Sequence, residues 1–157
     1  MTATTEIWFY HLQREPLARV LPALAEKSLV RGWRAVIQAT TEERVGALDE
    51  LLWTYSDDSF LAHGTAREGD AHLQPVYLTT TTDNPNGAAI RLCVEGADAA
   101  EALAAVEHPY ERLIVLFDGT DAEQLESARA QWQLLKTRGH ELAYWQQTAA
   151  GAWERKA

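Results

Sequence analysis

Apolar residues along this chain fall into short continuous runs, separated by stretches in which they recur every three or four positions. Runs of the first kind suit strands buried on both faces, and the second spacing suits amphipathic helices. Glu6 to Leu12 is such a run: Ile7, Trp8, Phe9 and Tyr10 favour extended backbone and are too apolar for an exposed edge. Pro16 stands near a helix start, and Leu17, Val20, Leu21, Leu24, Ala25 and Leu29 share the inward face that follows. Pro22 interrupts that pattern, so the helix either begins near it or kinks there. Gly32 ends the helix, and Trp33 to Ile37 predicts a second strand. Thr40-Thr41-Glu42-Glu43 supplies caps and first-turn acids for a helix that carries Val45, Leu48, Leu51 and Leu52 and ends near Trp53.

Ser56-Asp57-Asp58-Ser59 breaks that helix, because these side chains bond nearby backbone and favour turns. Phe60-Leu61 is an apolar step directly after the acidic turn, and residues 62–74 are polar and irregular. Pro75 to Thr79 and Ala88 to Glu95 predict strands joined through the turn Asp83-Asn-Pro-Asn-Gly87, a hairpin pattern. A short alanine-rich helix follows Gly96-Ala-Asp98 as far as about Val106, and Arg112 to Phe117 is a buried strand. A helix from about Asp121 to Arg138 ends at Gly139, Leu142 to Trp145 is a last strand, and residues 146–157 are expected to be a flexible tail. Strands alternating with helices predict one Rossmann-like α/β domain over residues 1–145, with a mainly parallel sheet between two helical layers.

At 157 residues, with 46% hydrophobic and 24% charged positions, the composition suits a single soluble domain. The formal charge of −9 disfavours direct grip on nucleic-acid phosphates. Cys93 lies in an apolar run and is expected to be buried and inert. The N-terminus lacks the basic start of a signal peptide, and no apolar run approaches the ~18 residues of a membrane span, so a cytoplasmic location is expected.

Signatures of catalysis and phosphate binding are missing from the sequence. Gln13-Arg-Glu-Pro16 follows the first strand where a glycine-rich loop would cradle a nucleotide, and no cofactor is expected. The five histidines have no metal-ligand spacing, and no metal is expected. A loop site could still form from Asp57, Asp58 and His63; the plainer reading is a capped turn and a surface imidazole. Glu95 just past a strand likewise reads as a solvated strand end rather than a catalytic carboxylate.

The last helix carries a different pattern. Arg129, Trp132 and Lys136 fall along one face, beside an inward face of Leu125, Ala128 and Leu135. From Ser127 onward there are five basic residues against two acids, whereas Glu95 to Glu126 holds nine acids and one base. A cationic patch beside an indole suits a peptide that ends in an aromatic ring and a carboxylate. The alternative is a core tryptophan flanked by solvated charges.

The segment from Leu48 through Leu52-Trp53 and Ser59-Phe60 to His63-Gly64 resembles the "LW…SF.PH" signature of the chi subunit of bacterial DNA polymerase III. Glu6 to Leu12 is similar to that family's opening strand, Leu24 to Ile37 to its first helix and second strand, and Ala128-Arg129 with Trp132 and Gly139 to its last helix. The resemblance spans residues 6–145. It implies a non-catalytic adaptor of the clamp-loader assembly. Trp53, Phe60 and Leu61 would dock the psi subunit, and Arg129, Trp132 and Lys136 would hold the C-terminal tail of single-stranded-DNA-binding protein. DNA contact would be indirect. Chi-like folds also resemble a helicase core without its phosphate loop, so a helicase is an alternative partner. Leu125 and Gln133 depart from basic residues in better-studied members.

Overall fold

A computed structural model describes residues 5–55, 61–105 and 110–157. The elements run β1 (Glu6–Leu12), α1 (Leu17–Val30), β2 (Ala35–Gln38), α2 (Glu42–Thr54), β3 (Gly64–Thr65), β4 (Val76–Thr79), β5 (Ile90–Val94), α3 (Ala99–Ala105), β6 (Arg112–Asp118), α4 (Ala122–Thr137), β7 (Leu142–Gln147) and β8 (Trp153–Arg155). Two short 3-10 turns lie between β3 and β4. Among the described residues, no helix is long and apolar enough to cross a membrane.

The strands form one sheet in the order β3-β4-β2-β5-β6-β1-β7-β8, parallel throughout except for the last pair. Side chains alternate across it. Tyr10 and Leu12 of β1 join Val20, Leu21, Ala25, Val45, Leu48 and Leu52 of α1 and α2 in one core. Ile7 and Phe9 join Ala99, Ala100, Ala128 and Leu135 of α3 and α4 on the other face. The chain is thus a single Rossmann-like α/β domain with helices on both faces. Cys93 is buried in the second core, where burial pushes its thiol up to about 12.

Helix α1 starts at Leu17 with Pro16 as its N-cap, and it carries Pro22 inside. A proline there withholds an N–H from the carbonyl of Ala18, an exposed residue that water can reach.

Two expectations change. The stretch from Pro75 to Glu95 is not a hairpin, because β4 and β5 each pair in parallel with β2, which lies between them. All of β2, β4 and β5 are buried, so none offers the polar outward face of a solvated hairpin. The turn residues serve a crossover instead. Asn86 Nδ2 donates to the Ala35 and Gln74 carbonyls (3.2 and 2.9 Å), and the fully buried Arg91 donates to the Thr81 and Asp83 carbonyls. Residues 146–157, expected as a flexible tail, extend β7 to Gln147 and return as antiparallel β8. Gly151 turns the chain with a φ of 86°, and Trp153 stacks on Tyr10 at 4.3 Å. That ring contact anchors a short strand whose sequence alone has little to hold it.

Candidate functional site: a groove beside the last helix

Helix α4 is anchored at both ends. Asp121 caps it by accepting from Glu123 N and Gln124 N, and Gly139, with φ 89°, takes the left-handed conformation just past its end. Gln131, almost fully buried, ties it to α3: its Oε1 accepts from Ala99 N (3.0 Å) and its Nε2 donates to the Ala97 carbonyl (3.2 Å). With Ala128 and Leu135 inward, helical spacing leaves Arg129 exposed and Trp132 half-buried. Trp132 packs edge-on against Phe9 (5.2 Å) and Tyr144 (6.2 Å).

Between α4 and the sheet runs a groove of about 680 Å³. Phe9, Phe117, Leu125, Trp132 and Tyr144 give it an apolar lining, with Arg129 and Gln133 on its helix side. At one end the ring of His11 stacks on Phe117 at 4.9 Å. Gln146 Nε2 donates to His11 Nδ1 (3.1 Å), and the Tyr144 hydroxyl, which also accepts from Gln146, bonds to the same nitrogen. Nδ1 is therefore the acceptor, and Nε2 carries the hydrogen of the neutral ring. Gly119 is required beside it, since a Cβ there would lie 1.7 Å from His11 Nε2. Burial lowers the His11 pKa below the ordinary imidazole value; Asp118 opposes that shift and the Arg129 charge adds to it.

The groove thus joins Arg129 and Trp132, as the helical spacing predicts, and leaves Lys136 outside its walls on the exposed side of α4. His11, Phe117, Tyr144 and Gln146 escape sequence reasoning. Phe9 and His11 alternate onto one face of β1, and the parallel register sets them beside Tyr144, Gln146 and Phe117. Only the strand order reveals that. Among the described residues lining the groove there is no serine, cysteine or carboxylate side chain. The groove offers apolar walls and one guanidinium.

The other predicted surface lies at the end of α2. Trp53 is 55% exposed, its ring 4.6 Å from that of His63. Leu61 does not belong to this surface: it is 2% exposed and packs in the core under α1 and α2, because the chain turns back toward β3 at that point. Phe60, Asp57 and Asp58 lie outside the described residues.

A family model for the DNA polymerase III chi subunit, HolC, matches residues 4–143. The chain belongs to the chi family. A protein of Rickettsia prowazekii (strain Madrid E) named probable DNA polymerase III subunit chi is 30% identical over 111 residues, covering 69% of this chain and 67% of that protein. Membership implies association with the DNA polymerase III holoenzyme.

Two further places where this chi-family domain gathers polar side chains are the ring of His63 and the crevice at the end of β1. His63 is buried, not a surface imidazole. Its Nδ1 lies 2.7 Å from the Leu61 carbonyl and its Nε2 lies 3.1 Å from the Asp49 carbonyl and 3.1 Å from Asp49 Oδ1. The ring is thus packed between α2 and the turn into β3. The crevice beyond the C-terminal ends of β1 and β6, where α/β folds commonly place ligands, is lined by the carboxylates of Glu15, Glu95 and Asp118 and by Arg14. Pro16, the cap of α1, has no N–H of its own, and three lining carboxylates against the one cation, Arg14, disfavour a phosphate. Glu95 pairs with Arg44 (2.9 Å) and holds a left-handed φ of 54°. Among the described residues there is no group of three or more side chains that could hold a metal.

Proposed function

We propose that this chi-family chain is a non-catalytic, cytoplasmic adaptor of the polymerase holoenzyme. The groove beside α4 holds the acidic, Phe-terminated tail of single-stranded-DNA-binding protein. The terminal ring lies among Phe9, Phe117 and Trp132, and the terminal carboxylate meets Arg129. The end of α2, with Trp53 and Phe60, docks psi and through it the clamp loader. Lys136 contributes to the tail site as a nearby charge outside the groove. Two modest contacts on one rigid body raise effective concentration, keeping the loader near protein-coated template without direct grip on DNA.

The observation that carries this reading is the guanidinium of Arg129 at an apolar groove about 680 Å³ in volume. Leu125, which stands where better-studied members are basic, adds apolar wall to that groove, so the ring contributes more and long-range attraction less. Isothermal calorimetry with a tail peptide tests it. Micromolar binding is expected, weakened about tenfold or more by amidating the peptide terminus or by Arg129→Ala, a loss of ~1.4 kcal/mol. Arg129→Lys should not restore it, because an ammonium lacks the two-pronged fork. Equal affinity for amidated and free-acid peptides would remove the carboxylate clamp.

A further inference from the structure

Strand β1 faces two grooves, and the second has a different chemistry from the first. Trp8 and Tyr10 point away from Phe9 and His11, toward α1. There, with Trp33 and Trp153, they line a groove of about 630 Å³. Val30, the last residue of α1, stands at its rim with 88% of its surface exposed. A large apolar side chain so exposed beside a row of indoles gives nothing to the fold of the chain as it stands.

The groove's charge is as distinctive as its rings. Lys27, Arg31 and Arg112 line it, against one lining carboxylate, Glu26, which already accepts the Tyr55 hydroxyl. On a chain of net charge −9 this is a local cationic site. The guanidinium carbon of Arg112, a side chain 14% exposed, lies over Trp8 at 3.8 Å from the ring centroid, and that of the exposed Arg31 lies over Trp33 at 4.3 Å. A guanidinium held over a ring can still offer its remaining N–H groups to a carboxylate. Arg112 gives Nη2 to Glu6 (3.1 Å), while its Nε is buried and has no acceptor among the described residues.

We infer that this groove is a second docking site, for an acidic peptide segment bearing an apolar anchor: the anchor packs on Val30 and the indoles, and its carboxylates meet Arg31 and Arg112. Single-stranded nucleic acid would use aromatic rings and cations too, but base stacking needs open ring faces. Here the faces of Trp8 and Trp33 carry guanidinium groups, and that of Tyr10 carries Trp153. The inference stands apart from the tail reading of the α4 groove. If both hold, one strand separates two acidic ligands on opposite faces of the sheet.

The test uses the full chain and a pool of labelled twelve-residue peptides in which Asp or Glu alternates with Leu, Ile, Phe or Trp. Both peptide ends are blocked, which removes the terminal carboxylate that Arg129 would read. Fluorescence anisotropy should find micromolar binders, weakened at least tenfold by Val30→Asp or Arg112→Gln and unchanged by Arg129→Ala. Arg112 also pairs with Glu6 and packs on Trp8, so its variant is scored only if its melting curve matches the parent. Val30→Asp, on the surface, decides the matter alone. Absence of micromolar binders, or binders indifferent to Val30→Asp, would overturn the site. So would tight binding of labelled oligo(dT) that Val30→Asp abolishes, because the groove would then belong to nucleic acid.

Discussion

His63 and His11 each sit beside an aromatic ring in different halves of the sheet, and what fills their ring nitrogens separates their roles. His63 lies beside Trp53, with Nδ1 near the Leu61 carbonyl and Nε2 near both the carbonyl and the carboxylate of Asp49. It fastens the entry to β3 onto α2. His11 is held by two side chains, Tyr144 and Gln146, at the end of an open groove. The contacts of His63 come from α2 and from the turn into β3, and they bury the ring, whereas the hydroxyl and amide beside His11 lie at an open groove and can reorient when a ligand arrives. A histidine buried between two elements is therefore part of the scaffold, and one at the end of a groove is open to a ligand.

The sharpest way to break this contrast is His63→Ala. It removes the ring packed between α2 and the turn into β3, takes the partner from the Leu61 carbonyl and leaves a cavity, and urea unfolding should report a loss of about 3 kcal/mol. A loss below about 1 kcal/mol, within the range of ordinary surface substitutions, would show that His63 is no fastener. Trp53→Ala tests the exposed member of the same pair. On the docking proposal it should weaken capture of the psi-containing loader by about 2 kcal/mol in a pull-down titration, with the melting temperature nearly unchanged. Loss of fold with no change in capture would make Trp53 a structural residue and remove it from the interface.

Acid should distinguish the other histidine. His11 has its pKa lowered in the folded chain, chiefly by burial, so the unfolded chain takes up a proton first as pH falls below about 6.5. Stability present above that pH is lost as pH falls through the lowered folded value, and stability rises with pH across the window. His11→Gln should flatten this slope in unfolding experiments between pH 7 and 5. An unaltered slope would mean that His11 is not a source of the acid sensitivity. The smallest effect is expected at Lys136, which is exposed and outside the groove walls. Lys136→Ala should weaken tail binding by only about 0.5 kcal/mol, and less at high salt. A loss as large as that of Arg129→Ala would place Lys136 in direct contact with the peptide.

Much of this molecule was readable in the chain before any coordinates. The uninterrupted apolar runs at β1, β5 and β6 announced a parallel, doubly covered sheet, and the spacing of Ala128, Leu135, Arg129 and Trp132 set two faces of α4 before its neighbours were known. Both features rest on local periodicity, which the backbone itself imposes. Leu61 misled because an apolar residue after an acidic turn reads equally as surface or core, and only the return of the chain to β3 buries it. Trp153 misled in the opposite direction, since nothing near it in sequence foretells Tyr10, 143 positions earlier, as its stacking partner.

The sequence by itself determined every helix and every strand except β3 and β8, the inward faces of the helices, the acidic charge balance and the pairing of an arginine with an indole on one helix. Those follow from forces acting over a few residues: backbone periodicity, capping and the cost of burying polar groups. The tertiary structure alone decided that β2 separates β4 from β5, and that β1 lies between β6 and β7. Strand order depends on how right-handed crossovers share two faces of a sheet, a choice made among contacts far apart in the chain. From that order come both grooves, because His11 meets Tyr144 and Gln146 on one face while Trp8 and Tyr10 meet Trp153 and Arg112 on the other.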